Sequence, residues 1–143
     1  MDRALEEAQR AMEAGEVPVG AVVVLDGVIV ATGNNRTRRD NDPTAHAEIV
    51  ALRAAAKQLD QERLSGADLF VTLEPCAMCA GAISHARIRR LYYGAGDEKM
   101  GAVDHGPRFF AAETCHHRPE VYGGLAEEDA AAMLRGFFQA RRS

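Results

Sequence analysis

The sequence contains few cysteines, three in 143 residues, and two of them are spaced as Cys76-x-x-Cys79. An odd number with one ligand-spaced pair argues against a disulfide framework, so a reducing cytoplasm is the expected compartment. No apolar run approaches the ~20 residues needed to cross a membrane, and the first residues lack the basic and then apolar pattern of a signal peptide. Repeats and linkers are also missing. With 47% hydrophobic residues, the chain is expected to form a single domain over residues 1–143.

The sequence also lacks the excess of positive charge that is typical of nucleic-acid-binding proteins, since its formal net charge is −4. The charge is segregated, however, and the arginines form clusters. The clusters are Arg36, Arg38 and Arg39; Arg87, Arg89 and Arg90; and Arg135, Arg141 and Arg142. Each cluster is compatible with an ordinary solvated surface. The first lies only a few residues before His46, so a role facing the substrate is expected there.

Hydrophobic patterns and turn signals predict an alternation of helices and strands. Predicted helices cover residues 2–14, 43–59, a segment that starts at Pro75, and 126–142; predicted strands cover 20–25, 28–31, 67–72, 88–93 and 121–122. Asp26-Gly27 indicates a hairpin between the first two strands. Neither of these strands alternates cleanly, so helices are expected on both faces of the sheet. The pattern predicts a layered α/β sandwich with parallel neighbours among the later strands.

Two short stretches carry the residues for a metal site: His46-Ala47-Glu48 and Pro75-Cys76-Ala77-Met78-Cys79. One imidazole and two thiolates suit a borderline-soft ion such as zinc. Three protein ligands leave the fourth tetrahedral position free for water, which distinguishes a catalytic zinc from a structural one. Two thiolates cancel the charge of the ion and weaken its effect on water, so a neighbouring base is needed. Glu48 is the expected base.

The expected helix starts bring these residues together. Asp42-Pro43 has the pattern of an N-cap followed by proline at the first helical position, which puts His46 and Glu48 in the first turn. The two side chains leave the helix axis roughly 200° apart, but side chains tilt toward the helix N-terminus and can converge beyond it. Pro75 is expected to start a second helix, with the two cysteines at i and i+3 on one face. The ion is thus expected between two helix N-termini, whose partial positive charge favours thiolate.

Each part of this site has another interpretation. A Cys-x-x-Cys pair alone is equally compatible with redox chemistry. Glu48 is compatible with a surface position, or with a fourth ligand that would make the chain a structural zinc protein. Cys115-His116-His117 is a second possible metal cluster, but packing or contacts of a substrate loop explain it better because its spacing matches no defensible type of site. Phe137-Phe138 is expected in the core rather than as a stacking platform.

The two stretches resemble the signature of the zinc-dependent cytidine and adenosine deaminases. Further segments resemble the bacterial tRNA-specific adenosine deaminases, and the similarity extends over nearly the whole chain. These segments are Glu16-Val17-Pro18-Val19-Gly20-Ala21-Val22, Asn35-Arg36-Thr37, Asp42-Pro43-Thr44-Ala45-His46-Ala47-Glu48-Ile49, and Gly94-Ala95-Gly96-Asp97 with Lys99 and Gly101-Ala102. The resemblance implies a cytidine-deaminase-like fold, a three-layer α/β/α sandwich with a central mixed five-stranded sheet, and a homodimer with one zinc per subunit.

The resemblance also implies a function, the hydrolytic conversion of adenosine to inosine at the wobble position in the anticodon of an arginine-accepting tRNA. Carried over by position, the zinc ligands are His46, Cys76 and Cys79, and the proton shuttle is Glu48. A free nucleobase or nucleoside deaminase that acts on guanine or cytosine would share this site without needing an RNA surface. That enzyme and the structural zinc protein are the alternatives.

Substrate contacts follow from the same resemblance. Asn35 matches a residue that contacts the target nucleotide, Pro18 and Val19 match positions that line the base pocket, and Asp97 matches one near the neighbouring nucleotides. The candidates for RNA phosphate contacts are Arg36, Arg38, Arg39, Arg141 and Arg142. Between residues 103 and 117, Asp104-His105 and His116-His117 stand where the family pattern has Gly-Ser and Asn-His. This departure concerns tRNA choice more than chemistry.

Overall fold

A mixed sheet of five strands forms the centre of the molecule. The structure is a computed structural model that describes the backbone of residues 1–142 and the side chains of residues 1–141. In chain order the elements are α1 (Asp2–Glu13), β1 (Gly20–Leu25), β2 (Val28–Asn34), α2 (Ala47–Leu59), β3 (Asp68–Leu73), α3 (Ala77–Ala86), β4 (Arg90–Ala95), a 3₁₀ helix (Phe109–Ala111), β5 (Glu120–Tyr122) and α4 (Glu127–Arg142).

The strands lie in the order β2-β1-β3-β4-β5 across the sheet. Strand β1 is antiparallel to β2 and β3, whereas β4 is parallel to both β3 and β5. Helices α1 and α4 cover one face, and α2 and α3 cover the other. The predicted three-layer sandwich is therefore confirmed. The carboxyl ends of β3 and β4 meet at one edge, the usual position of a ligand site in such sheets.

Two glycines let helices pack directly on the sheet. A Cβ atom on Gly20 would lie 2.0 Å from the carbonyl oxygen of Ala4 in α1, and a Cβ atom on Gly33 would lie 2.6 Å from the carbonyl oxygen of Ala47 in α2. The two glycines lie on paired strands, but Gly20 contacts α1 on one face of the sheet and Gly33 contacts α2 on the other. Both faces of the β1-β2 hairpin are thus covered, which explains why neither strand alternates between apolar and polar residues.

The predicted starts of the two site helices are wrong. Asp42 does not cap α2, because its carboxylate accepts hydrogen bonds from the amide and hydroxyl of Thr44, at 2.9 and 2.7 Å, and closes a separate turn. His46 is the N-cap of α2, with extended backbone (φ −69°, ψ 155°), and Cys76 is the N-cap of α3 (φ −75°, ψ 177°). Pro75 therefore precedes its helix. Because His46 lies outside the helix, the angular separation from Glu48 that a continuous helix imposes does not apply.

The other elements agree closely with expectation. Strand β2 continues to Asn34, beyond its predicted end, and the long segment after β4 contains the 3₁₀ helix. The Phe137-Phe138 pair is divided, with Phe137 buried and Phe138 exposed. None of the helices within residues 1–142 combines the length and apolar character needed to cross a bilayer.

We expect the substitution Gly33→Ala to destabilise the protein by about 1–3 kcal/mol, because the new methyl group collides with the α2 backbone. Gly136→Ala is the matched control: it lies within α4, and nothing lies within 4 Å of the added Cβ. Since alanine favours a helix over glycine, this control should gain about 0.5–1 kcal/mol. Urea unfolding measures both, and equal stability of the two variants would contradict close packing of α2 on β2.

Candidate metal centre and base pocket

Three metal-binding side chains converge where α2 and α3 begin. His46 and Cys76 are the N-caps, and Cys79 lies in the first turn of α3. The Nδ1 atom of His46 is 3.6 Å from Cys76 Sγ and 3.5 Å from Cys79 Sγ, and the three donor atoms lie within 4.8 Å of one another. A tetrahedral ion with Zn–S of about 2.3 Å and Zn–N of about 2.0–2.1 Å separates N and S ligands by about 3.6 Å. The donor set therefore fits zinc in chemistry and in spacing.

The two cysteine thiols differ in pKa. Cys79 donates a hydrogen bond to the Cys76 sulfur, and this bond with the neighbouring His46 lowers the pKa of Cys76 to about 4. The same bond, together with burial, raises the pKa of Cys79. The start of α3 adds its partial positive charge, which also favours thiolate. One sulfur is thus ready to bind a cation, and metal binding would displace the proton held by the other.

Glu48 lies in the first turn of α2 and is only 4% exposed. Burial raises the pKa of its carboxyl group to about 7, because the charged form loses its hydration. A carboxyl group with a pKa near neutrality, beside a metal donor set, can both accept and return a proton.

The donor set leaves one tetrahedral position open. Among the described residues, His46, Cys76 and Cys79 form the one group of at least three His, Cys, Asp or Glu residues whose donor atoms lie this close, and Glu48 does not join it. Cys115 does not form a second such group, since its thiol donates to the carbonyl oxygen of His117 and packs against Ser84. The geometry thus favours a catalytic site over a closed structural one.

A cavity of about 220 Å³ opens beside the donor set. Most of its walls are apolar, and a few polar groups line it as well, which is typical of a pocket for a small molecule. The lining residues are Val17, Val19, Asn35, His46, Ala47, Glu48, Leu73, Glu74, Cys76, Asp97 and Met100. The pocket is thus built from the start of α2, the N-cap of α3, the end of β3 and the loops that follow α1, β2 and β4.

The structure brings most of the predicted substrate residues to this pocket. Val19, Asn35 and Asp97 line it. Pro18 does not, because its side chain is fully buried, and Val17 lines the cavity instead. Their contacts with a nucleotide stay a prediction.

A buried carboxylate holds the loop that carries Asn35. Glu16 is fully buried and accepts hydrogen bonds from the backbone amides of Arg38 and Arg39, at 3.1 and 2.9 Å, and from Arg39 Nε at 3.1 Å. Burial alone would raise the pKa of Glu16, but these donors outweigh it and lower the pKa. Arg39 Nη2 in turn donates to the carbonyl oxygen of Asn35 at 2.5 Å and to Asn34 Oδ1 at 2.6 Å.

The arginines proposed as phosphate contacts divide into two groups. Arg36 forms a two-pronged ion pair with Asp40, at 3.0 and 3.2 Å, and Arg39 is paired with Glu16. Arg38 and Arg141 instead both donate to the carbonyl oxygen of Gly15. Neither forms an ion pair with a carboxylate among the side chains of residues 1–141, so neither charge is offset by an ion-pair partner there. The side chain of Arg142 lies outside the described residues.

Two carboxylates that support the pocket, Glu16 and Glu74, were not among the site residues predicted from the sequence. Each is buried and accepts several hydrogen bonds. The available signal was position: Glu16 directly precedes Val17-Pro18, and Glu74 stands between a hydrophobic strand and the cysteine motif.

A family model described as the cytidine and deoxycytidylate deaminase zinc-binding region matches residues 1–95, which include the three donor residues and Glu48. A tRNA-specific adenosine deaminase of Agrobacterium fabrum is 63% identical over 142 residues, covering 99% of this chain and 93% of the relative. The chain belongs to this deaminase family. The prediction of zinc as its cofactor is thereby confirmed.

Solved structures of other deaminases share the fold. A chain from a study of A-to-I editing by tRNA:A34 deaminases at the wobble position of transfer RNA superposes with a TM-score of 0.93 at 63% identity, covering 94% of this chain and 97% of that one. A guanine deaminase from Nitrosomonas europaea superposes with a TM-score of 0.82 at 27% identity, covering 95% and 81%. This deaminase therefore resembles the tRNA-acting members much more closely than the guanine-acting one.

We predict that Glu48→Gln purifies with the same zinc content as the unaltered protein, because Glu48 is not a ligand. Cys79→Ser should bind zinc at least about 10–100-fold more weakly. The substitution removes a thiolate that would bind the ion, and loss of a group that only hydrogen-bonds to a ligand already weakens binding by roughly that factor. Metal analysis after dialysis against a weak chelator separates the two variants. Zinc loss from Glu48→Gln equal to that from Cys79→Ser would instead make Glu48 a fourth ligand.

Proposed function

We propose that this deaminase converts adenosine to inosine at the wobble position of a tRNA anticodon, with release of ammonia. The observation that carries the proposal is the combination of an open His46/Cys76/Cys79 donor set and a buried Glu48 in a chain that is 63% identical, over almost its full length, to a tRNA-specific adenosine deaminase. The finer parts of the proposal are an arginine-accepting tRNA and a homodimer with one zinc per subunit, and they rest on the family resemblance. A cytoplasmic location is proposed as well, and the three free cysteines support it.

The chemistry needs a water molecule that attacks C6 of the purine and a group that moves protons. Zinc in the donor set supplies Lewis-acid activation of that water. Glu48 takes a proton from the water and delivers it to the adjacent ring nitrogen, so that the ring accepts the new C–O bond without gaining negative charge. It then takes the second proton and gives it to the departing amine, and ammonia leaves. The pKa of about 7 suits a carboxyl group that must work in both directions.

The pocket has the features needed for a base that has left its stack. Bases in an anticodon loop are unpaired, so the cost of turning one into a pocket is low. Val17 and Val19 offer apolar contact to the base, and Asn35, which is 8% exposed, offers an amide that can donate and accept hydrogen bonds. The cavity thus combines shape for a planar ring with polar groups that orient it.

A free guanine deaminase is the second candidate, and it is favoured by one observation, the structural likeness to the Nitrosomonas europaea enzyme. That enzyme is 27% identical to this chain, against 63% for the tRNA-acting relative. The tRNA activity is therefore the better supported of the two.

The deciding assay presents an anticodon stem-loop with adenosine at the wobble position beside guanine, cytosine and cytidine. We expect inosine from the stem-loop and negligible turnover of the three small molecules. Glu48→Gln should reduce the rate by roughly 10²–10⁴, the usual contribution of a general acid-base, while circular dichroism shows an unchanged fold. Turnover of guanine or cytosine without turnover of the stem-loop would overturn the proposed function.

The two kinds of arginine should respond differently to removal of charge. Arg38→Gln should weaken stem-loop binding and reduce the slope of log K against log salt by about 0.7, the value for one phosphate contact with a single strand. Arg39→Gln should leave that slope unchanged, because Glu16 already neutralises this guanidinium, but should slow deamination by releasing Asn35. Fluorescence titrations at several salt concentrations give the slopes. A reduced slope for Arg39→Gln alone would reverse the two assignments.

A further inference from the structure

Glu74 occupies the position between the end of β3 and the cysteine motif, and it is only 2% exposed. Its carboxylate accepts four backbone hydrogen bonds, from Asp97 at 3.0 Å, Val103 at 3.1 Å, Asp104 at 2.9 Å and His105 at 3.1 Å. The Nδ1 atom of His105 is a further partner at 2.6 Å. All these donors belong to one segment, residues 97–105, which we call the Asp97 loop.

The Asp97 loop has no regular secondary structure to satisfy its own amides. A buried, charged carboxylate would be costly without hydrogen-bond donors, and buried backbone N–H groups would be costly without acceptors. The hydrogen bonds between them remove both costs. Asp97 adds a local turn, because its Oδ1 accepts hydrogen bonds from the amides of Lys99 and Met100, both at 3.0 Å. The loop therefore takes its shape from two carboxylates rather than from a helix or strand.

The same loop is attached to the start of the metal-site helix. Gly101 pairs with Cys76 in an antiparallel bridge, and the Ala102 amide donates to the Pro75 carbonyl oxygen at 2.9 Å. Glycine at position 101 allows this close approach, because an added Cβ would lie 2.3 Å from the Asp97 carbonyl oxygen and 2.6 Å from the Cδ atom of Glu74. The loop thus rests directly on residues 74–76.

Two residues of the Asp97 loop, Asp97 and Met100, form one wall of the base pocket. Val17 and Asn35 belong to other loops, and His46, Cys79 and Glu48 are placed by the starts of α2 and α3. The part of the pocket formed by Asp97 and Met100 therefore depends most directly on Glu74.

We propose that Glu74 is a positioning residue that holds the Asp97 loop in its substrate-binding shape, and so controls capture of the RNA rather than cleavage of the C–N bond. The proposal rests on the proposed function for its substrate. Asp104-His105, which stands where the family pattern has Gly-Ser, would then help to hold the loop, since the His105 side chain is one of the donors to Glu74.

The first test compares Glu74→Gln with Glu98→Gln, an exposed residue of the same loop that undergoes the same chemical change. A glutamine keeps one acceptor oxygen but turns an NH₂ group toward N–H donors, so the loop should open. We expect KM for the stem-loop to rise at least about 10-fold in Glu74→Gln, with kcat within about 3-fold and zinc content unchanged. Glu98→Gln should match the unaltered protein. A fall in kcat with unchanged KM, or loss of zinc, would overturn the proposal.

Hydrogen exchange gives a readout that needs no substrate. The amides of residues 97, 103, 104 and 105 should exchange at least about 10-fold faster in Glu74→Gln, while those of α2 and α3 keep their protection. Unchanged exchange at these four amides would refute the positioning role even if the stem-loop were a good substrate. Failure of the unaltered protein to deaminate the stem-loop would instead count against the proposed function.

Gly101→Ala tests the same contact from the other side, and it applies also where Glu74→Gln fails to fold. The added methyl group collides with the Asp97 carbonyl oxygen and with the carboxylate of an intact Glu74, so the turn at Asp97 and the contact with Glu74 must both shift. We expect the same rise in KM and the same faster exchange, with zinc retained. Normal KM and normal exchange in Gly101→Ala would show that the contact does not control the loop.

Discussion

The site depends on bringing one imidazole and two thiols to a single point between the starts of two helices. His46 and Cys76 achieve this because both are N-caps, so their backbones are extended and their side chains point beyond the helix ends. The helix dipoles then lower the cost of negative charge on sulfur at the same place. Gly33 lets the first turn of α2 pack directly on β2, beside the N-cap His46.

Three buried carboxylates surround this centre, and their surroundings assign them different tasks. Glu48 meets few donors, so burial raises its pKa to about 7 and prepares it for proton transfer. Glu16 meets three donors in Arg38 and Arg39, so its pKa is lowered and it stays charged as an anchor. Glu74 resembles Glu16 in accepting several backbone hydrogen bonds. A buried glutamate is thus suited either to proton transfer or to anchoring a loop, depending on how many N–H groups donate hydrogen bonds to its carboxylate.

Local pairing of charge explains how an acidic chain can present a surface for RNA. The net charge of −4 describes the whole molecule, whereas recognition of phosphate depends on the cations that are not already neutralised. Arg36 forms an ion pair with Asp40, and Arg39 forms one with Glu16. These two ion pairs stabilise the loop before His46. Arg38 and Arg141 both donate to the Gly15 carbonyl oxygen, although they are far apart in the sequence, and neither has an ion-pair partner among the side chains of residues 1–141.

The sequence by itself determined the alternation of elements, the layered α/β class and the candidate metal donors His46, Cys76 and Cys79 with Glu48 beside them, because these follow from local periodicity, turn chemistry and ligand type. The helix starts were predicted less well. Asp42-Pro43 has the composition of a helix N-cap, but the Asp42 carboxylate forms a turn with Thr44 instead. The structure shows that α2 begins after His46, which is its N-cap. The tertiary structure alone decided that Arg39 faces Glu16, that Pro18 is buried while Val17 lines the pocket, and that Glu74 organises a loop more than 20 residues away. These outcomes depend on contacts between residues that are distant in the sequence, and the spacing of residues along the chain does not predict such contacts.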